Sequence, residues 1–287
     1  MPLNILFAVL SMLSTGISDF LYKRAQAHGA DAKFFIVFQA LLFNVCNLAL
    51  FAFSGSYQIP IKTIILGAGC ASLAYPAVYL FLTSLQEGRA STNVPIFRLS
   101  FVVTAIMAFV FLQEPATVGK LVAVGLAVLS ILALSGSLRF ETSSRVMLLQ
   151  LVFSTIMYGS FGFLYKIAIA AGSSPMGILV AQGAFVLVAS SIVASQGNVK
   201  DFFRRNQPAF RSVMVHAPIC GVLLSFSWRM LLESLRLGDV SVGFSIVQLS
   251  FVVTSALSIL IWNEKANTLK LLGIVAAVSA VCVFAYA

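Results

Sequence analysis

The sequence predicts an all-α membrane protein of ten transmembrane helices, arranged as two inverted five-helix repeats. Composition is the first of three observations behind this prediction. Of 287 residues, 60% are hydrophobic and 9% are charged, and the mean hydropathy is +1.01. Soluble domains carry about 25% charged residues, so this chain has too few charges to cover a soluble surface. The lipid bilayer is therefore its expected partner.

The second observation is the spacing of apolar stretches that approach the ~20 residues needed to cross a bilayer. Pro76, Pro95 and Pro218 fall inside the third, fourth and eighth stretches. Because proline lacks the N–H that a helix interior needs, kinked or broken helices are expected there. The ten stretches cover residues 3–22, 34–54, 63–84, 92–112, 117–136, 146–165, 176–195, 212–233, 242–262 and 269–286.

The third observation is an internal repeat. Residues 99–104 and 249–254 both read LSFVVT, and a glutamate follows each copy, Glu114 and Glu264, so the offset is 150 residues for both matches. A single hexamer would be weak evidence in so apolar a chain, but two matches at one offset indicate a duplicated unit. Two copies of a unit with an odd number of spanning helices must lie upside down relative to each other.

The first predicted helix of each half repeats as well. FLYK occurs at residues 20–23 and 163–166, and Gly16 recurs as Gly159, at an offset of 143 residues. Because the first apolar stretch has this counterpart, we expect a retained helix and not a cleaved signal peptide. The two repeats are predicted to occupy residues 1–140 and 141–287.

Loop cations predict the orientation. The loops after odd-numbered stretches hold twelve Lys and Arg residues, and those after even-numbered stretches hold four. Because these residues stay preferentially on the cytoplasmic side, both termini are predicted to be non-cytoplasmic, in a bacterial inner membrane. The cations form no stripe on a polar domain, which argues against nucleic acid as a partner.

The pattern of ten short helices in two halves resembles the EamA-type family of the drug/metabolite transporter superfamily. The segments that carry the resemblance are residues 112–114, LQE, and 262–264, WNE, each followed by a glycine-containing helix. The resemblance implies a solute in a central cavity between the halves, lined mainly by helices one, three, four, six, eight and nine. One departure from the family is Ser245. It stands at the position of Pro95 in the first half, whereas family members commonly have a proline in both halves.

Arg98 is the sharpest candidate for a substrate-binding residue. It lies several residues inside the fourth stretch, and the 150-residue offset aligns it with Gln248. An arginine in a bilayer costs at least ~2.5 kcal/mol, so it should face a cavity, a partner or the headgroups. Its paired donors suit a carboxylate or phosphate; a structural bridge is the alternative.

Two other charged pairs are spaced four residues apart on one helix face. Asp19 and Lys23 on the first helix could form a proton-coupling site, since protonation of a membrane carboxylate changes its pairing, or a simple bridge. Arg229 and Glu233 on the eighth helix are expected to pair, and the alternative is substrate binding by Arg229. Trp228 beside them suits a membrane interface or a stacked ligand.

Several aromatic and amide residues are candidates for lining the cavity. Tyr75 and Tyr79 lie one turn apart on the third helix, and Tyr158 lies on the sixth. They could present rings and hydroxyl groups to a solute or pack between helices. Gln39 and Gln182 match across the halves and are interpreted as helix-packing residues.

Glu114 and Glu264 have a structural interpretation. Each lies just before a predicted helix, where a carboxylate favours the positive end of the helix dipole. No cofactor, catalytic residue or metal site is predicted, because the two histidines are isolated and no hydrolase or metalloprotease motif is present.

The sequence therefore favours a secondary carrier for a small metabolite, an amino acid or other organic solute, with anionic solutes among the candidates. Alternating access, driven by protons or by exchange, is the expected mechanism, because no nucleotide-binding loop is found. The alternatives are an exporter of amphipathic drugs, a channel and a non-transporting membrane protein. Either a monomer or a homodimer is compatible with the sequence.

Overall fold

A computed structural model describes residues 1–53, 58–87, 90–134, 145–196, 207–262 and 268–286. The described residues form helices and no strands. In chain order the helices are α1 (Leu3–Ala27), α2 (Ala32–Phe53), α3 (Ile61–Glu87), α4 (Ala90–Arg98), α5 (Ser100–Phe111), α6 (Val118–Leu134), α7 (Arg145–Ala170), α8 (Pro175–Ser195), α9 (Gln207–Leu237), α10 (Val240–Gln248), α11 (Ser250–Trp262) and α12 (Thr268–Tyr286).

Eight helical segments among the described residues are long and apolar enough to cross a membrane, one of them Val240–Ile261 through α10 and α11. Two shorter apolar helices, Ile96–Phe111 and Val118–Leu134, correspond to the predicted fourth and fifth stretches. The all-helical class is confirmed, whereas the count of ten stays a prediction. Large apolar side chains are exposed along the outer faces of these helices, where lipid would cover them.

The fourth stretch of each half is interrupted at one matching residue, Leu99 or Leu249. The Leu99 N–H donates to the Ile96 carbonyl at 3.1 Å, and the Leu249 N–H donates to the Ile246 carbonyl at 3.0 Å. Each bond reaches back three residues instead of four, so the helical turn is tighter at both positions. Proline alone does not cause this interruption, because it occurs in both copies.

In the second half, Ser245 stands at the position of Pro95. Its hydroxyl donates to the Ser241 carbonyl four residues earlier. Such back-bonding often bends a helix. Pro76 and Pro218, by contrast, lie inside helices that are continuous, α3 and α9.

The turn after the first helix is also repeated. Gly29 and Gly172, 143 residues apart, have φ of +76° and +82°. After each of them a backbone N–H reaches back five residues, from Ala30 to the Ala25 carbonyl at 3.2 Å and from Ser173 to the Ala168 carbonyl at 3.0 Å. This is the Schellman pattern that ends a helix, and it extends the predicted repeat beyond FLYK.

The first helix of each half packs against the LSFVVT segment of the other half. A Cβ added at Gly16 would lie 2.5 Å from the Ser250 carbonyl oxygen, and one at Gly159 would lie 2.5 Å from that of Ser100. Thr254 then donates to the Gly16 carbonyl at 2.9 Å, and Thr104 donates to the Gly159 carbonyl at 2.7 Å. Only glycine permits backbones to approach this closely, so the two halves interlock by reciprocal contacts.

Some predicted features lie outside the described residues. They are Glu264, the boundary between residues 140 and 141, and the loop cations Arg89, Arg139, Lys200, Arg204, Arg205 and Lys265.

Candidate functional site

A cavity of about 200 Å³ lies where the two halves meet. Helices α1 to α4 of the first half and α7 to α9 of the second contribute its walls. Its polar lining residues are Thr15, Ser18, Asp19, Tyr22, Gln39, Tyr75, Arg98, Tyr158 and Gln182. Its apolar lining residues include Ile36, Phe43, Val78, Phe81, Leu82, Phe97, Val186, Leu224 and Trp228.

The helices that line the cavity differ in part from those that the resemblance implied. The second and seventh predicted helices contribute Gln39 and Gln182, although neither helix was expected to line the cavity. No residue of α10 or α11 is among the described lining residues, although the ninth predicted helix was expected there. Instead, α10, which ends at the interruption at Leu249, lies behind the cavity wall and is buried over its whole length.

Arg98 occupies the wall of this cavity at the last position of α4. Only 8% of the residue is exposed, and a cation is favoured at the negative end of a helix dipole. Its Nη1 donates to Gln248 Oε1 at 3.1 Å. Arg98 and Gln248 are the matched pair of the repeat, so this hydrogen bond joins equivalent positions of the two halves. The predicted binding residue Gln248 thus contacts Arg98 from behind and does not itself line the cavity.

Asp19 pairs with Arg98, so the interpretation of Asp19 and Lys23 as a bridge within α1 is wrong. The guanidinium Nη2 donates to Asp19 Oδ2, and the Ser250 hydroxyl donates to the same oxygen at 3.2 Å. Lys23 instead donates to the Ser258 hydroxyl at 3.2 Å. Because the fourth stretch is interrupted, α4 ends at Arg98, next to Asp19 of α1. The spacing of residues along the sequence could not reveal this ion pair between two helices.

Aromatic rings form the apolar part of the wall. Phe81 and Phe97 stack with centroids 4.2 Å apart, and Phe97 contacts Tyr158 at 4.8 Å. Tyr158 in turn meets Trp228 edge-on at 6.5 Å. The predicted residues Tyr158 and Trp228 are therefore brought together beside Arg98. Such a cluster offers ring faces and edges to an apolar or aromatic solute.

Only one of the two tyrosines on α3 lines the cavity. Tyr75 lines the cavity, and the Tyr79 ring stacks on it with centroids 6.2 Å apart. Tyr79 is not among the lining residues. A binding role for Tyr79 would have to act through Tyr75.

Arg229 is placed away from the cavity, and its expected pairing with Glu233 is wrong. Glu233 pairs instead with Arg236, at 2.9 Å along the same helix. Arg229 continues the face of α9 that carries exposed Val222 and Phe226, which suits a side chain that reaches toward the headgroups. No described residue forms a hydrogen bond or ion pair with it.

Glu114 has a structural role, but it caps a different helix from the one expected. Its carboxylate accepts the Val240 N–H at 2.7 Å and the Ser241 N–H at 3.1 Å, at the start of α10 in the other half. Nearby, the buried Lys120 pairs with Asp239, the residue that precedes α10. These contacts fix the far end of the helix that holds Gln248 behind Arg98.

Sequence reasoning missed the cavity role of Gln39 and Gln182. Both line the cavity, and Gln182 also accepts a hydrogen bond from the buried Tyr165 hydroxyl. Their match across the halves was visible in the sequence. A matched amide pair inside two spans could have indicated a shared central site as readily as helix packing.

The electrostatic balance of the cavity is neutral. Asp19 and Arg98 are the charged side chains among its described lining residues, so their charges cancel. Across the described part of the chain, His, Cys, Asp and Glu side chains form no group of three or more that could hold a metal ion. The chemistry available at this site is thus hydrogen bonding, charge pairing and ring contact.

Comparisons with known proteins bear on the fold and the family. The chain is similar over 98% of its length to a protein whose solved structure is titled only a crystal structure of a protein, with 94% of that chain covered, a TM-score of 0.73 and 11% identity. That likeness supports the fold alone. No curated protein matches the chain.

The sequence profile of the EamA-like transporter family matches twice, over residues 2–136 and 145–286. The two matches correspond to the two halves that interlock through Gly16 and Gly159. Together with the apolar helices, they make this chain a multi-pass integral membrane protein. It belongs to the EamA-like transporter family.

Proposed function

We propose that this protein is a secondary carrier that moves a small organic solute across the membrane by alternating access. The observation that carries the proposal is the central cavity, because its walls come from both halves of the chain. A solute held between two halves can be exposed to either side of a membrane as the halves rock against each other.

The matched pair of Arg98 and Gln248 supports this mechanism. The two residues join equivalent positions of the two halves, so a rocking motion of one half against the other would change their relative position with little displacement of the site. A proton gradient or exchange of one solute for another would supply the energy. An amino acid or other organic acid is the solute class that a buried arginine favours.

Export of amphipathic drugs is the second candidate, and the rings of Phe81, Phe97, Tyr158 and Trp228 favour it. The cavity volume weighs against it. At about 200 Å³, the cavity falls below the roughly 300–1,000 Å³ of pockets that enclose drug-sized ligands. A solute of amino-acid size is the better fit.

Uptake into proteoliposomes tests the proposal. The purified chain would be reconstituted and offered labelled amino acids, organic anions and cationic dyes, with and without a pH gradient. We expect saturable uptake and counterflow, in which solute loaded on one side accelerates entry from the other. Conductance without counterflow would indicate a channel and overturn the proposal, and uptake restricted to cationic dyes would favour the drug exporter.

A further inference from the structure

The ion pair in the cavity wall is incompletely satisfied. Arg98 uses Nη2 for Asp19 and Nη1 for Gln248. Its Nε is buried and has no hydrogen-bond partner among the described residues. A buried donor without an acceptor is unfavourable, because it has lost its hydrogen bonds to water without replacing them. A ligand that brings two acceptor oxygens to the guanidinium would therefore gain more than Asp19, which receives one bond from it.

Each charge of the pair has support that does not depend on the other. Arg98 is the last residue of α4, whose C-terminal end favours a cation. Asp19 lies against Ser250, the first residue of α11, and accepts its hydroxyl hydrogen bond at 3.2 Å. The side chain of Asp19 is 31% exposed, against 10% for that of Arg98. The carboxylate is thus the member of the pair that a proton from the cavity can reach.

We propose that the carboxylate of a substrate replaces Asp19 on Arg98, and that Asp19 takes up one proton as it is displaced. The proposal rests on the carrier function and names its substrate class and its coupling. Before binding, the charges of Arg98 and Asp19 cancel. Afterwards the substrate carboxylate balances Arg98 and the protonated Asp19 is neutral, so the cavity carries no net charge in either state.

Several other titratable or charged groups lie around Asp19. On α1 itself they are Tyr22 and Lys23, and Lys23 donates to Ser258 on α11. From α9 the facing group is Cys220, which donates to the Ser18 carbonyl at 3.5 Å. From α7 it is Tyr158, beside Arg98 in the wall. Gln248 of α10 and Ser250 of α11 do not titrate.

The cavity wall also defines the body of the substrate. Phe81, Phe97, Tyr158 and Trp228 border the same space as Arg98. Because ring faces favour apolar and aromatic groups, the structure assigns a small monocarboxylate with an apolar or aromatic body. A useful probe is 3-phenylpropionate, and its amide, 3-phenylpropanamide, matches it in shape without the charge.

Binding of the labelled probes to the purified full chain in detergent gives the first test. For 3-phenylpropionate, uptake of one proton per ligand requires that apparent affinity rise by about tenfold per pH unit as pH falls from 8 to 6. That probe stays ionised over this range. The amide should bind at least about tenfold more weakly than the acid at pH 6, with no pH dependence. A flat pH profile for the acid would overturn the proposal, and this measurement needs no variant.

Variants separate displacement from a structural bridge. Asp19→Asn imitates the protonated state, so at pH 8 it should bind the acid at least as tightly as the original chain does at pH 6, with no pH dependence. In proteoliposomes it should keep counterflow and lose uptake driven by a pH gradient. A bridge needed only for folding would instead lose binding in this variant. Arg98→Gln should remove the preference for the acid over the amide.

The two proposals fail in distinguishable ways. If the chain takes up other solutes with counterflow but shows no preference for the acid, the carrier stands and the displacement of Asp19 is wrong. If no solute is transported, the carrier function fails, and the binding assay still reports on Arg98 and Asp19. Arg98→Lys, which keeps the charge but lacks the planar pair of donors, should weaken binding of the acid about tenfold and retain the pH slope.

Discussion

The two copies of LSFVVT make the same contact and then differ one helical turn away. Around Gly16 the contacts are with Ser250, Val253 and Thr254, and around Gly159 they are with Ser100, Val103 and Thr104. The closest added-Cβ distances are 2.5 Å in both. The repeated hexamer is therefore explained by packing, because each copy receives the glycine face of the other half's first helix.

One turn further, the chemistry is no longer repeated. Asp19 accepts hydrogen bonds from Arg98 and Ser250. Its counterpart 143 residues later is Gly162, where the ring of Phe244 fills the space. The hydroxyl of Ser100, the counterpart of Ser250, is buried without a partner among the described residues. The comparison teaches that the scaffold of this protein is symmetric and its charged site is not.

The largest effect is expected from filling the two glycine contacts. Gly16→Ala and Gly159→Ala each place a Cβ 2.5 Å from a backbone carbonyl oxygen. A backbone carbonyl cannot move aside as a side chain can. Overpacking of this kind should cost about 3 kcal/mol, and equally in both copies. Unfolding in an SDS titration measures it. Gly125→Ala is the control, since its Cβ meets nothing within 4 Å; clearly unequal losses would contradict the shared packing role.

The next effect concerns the glutamate that follows the first copy. Glu114→Ala removes the acceptor for the Val240 and Ser241 N–H groups. Loss of charge-assisted bonds at a helix start should cost about 2 kcal/mol in the same titration. Glu233→Ala is a matched control, because its partner Arg236 is exposed and on the same helix. An equal effect of both variants would refute the cap.

Exchanging the asymmetric pair sharpens the comparison. In the double variant Arg98→Gln/Gln248→Arg this contact still has one arginine and one glutamine, but the cation belongs to the half that has Gly162 in place of Asp19. Uptake of 3-phenylpropionate should stay at least about tenfold below that of the original chain. Full recovery would mean that it does not matter which half carries the arginine, and it would remove the reason for the asymmetry.

The smallest effect is expected from the threonine hydroxyls. Thr104→Val and Thr254→Val each delete one hydrogen bond to a glycine carbonyl, of 2.7 Å and 2.9 Å. Hydrogen bonds between membrane helices average about 0.6 kcal/mol, so each variant should lose that much stability. Similar losses in the two variants would support the equivalence of the contacts, and additive losses in the double variant are expected because the sites are separate.

The sequence contained the fold more fully than the site. Apolar spacing and the repeats at offsets of 150 and 143 predicted the helices and their duplication, because those features are periodic along the chain. The pairing of Asp19 with Arg98 could not be predicted, since spacing ranks Lys23 as the nearest partner. The end of α4 at Leu99, which brings Arg98 within reach of Asp19, has no proline to mark it in the second half of the sequence.

Residue pairing on one helix was a poor guide for a further reason. Arg229 and Glu233 have ideal spacing, yet Glu233 pairs with Arg236. Along a helix face several partners compete at similar separations, and the choice depends on what the neighbouring helices leave accessible. Arg98 was a sound candidate because its argument rested on the cost of burying a charge and not on spacing.

The reciprocal glycine contacts bear on how such a chain can be assembled. If residues 1–140 were made alone, Gly16 and the LSFVVT segment at 99–104 would each lack the surface that covers them. Each fragment should therefore depend on the other, and the two expressed as separate chains should recover one complex. The same reasoning implies that a single repeat could cover these surfaces only as a pair of molecules, each lending its first helix to the other.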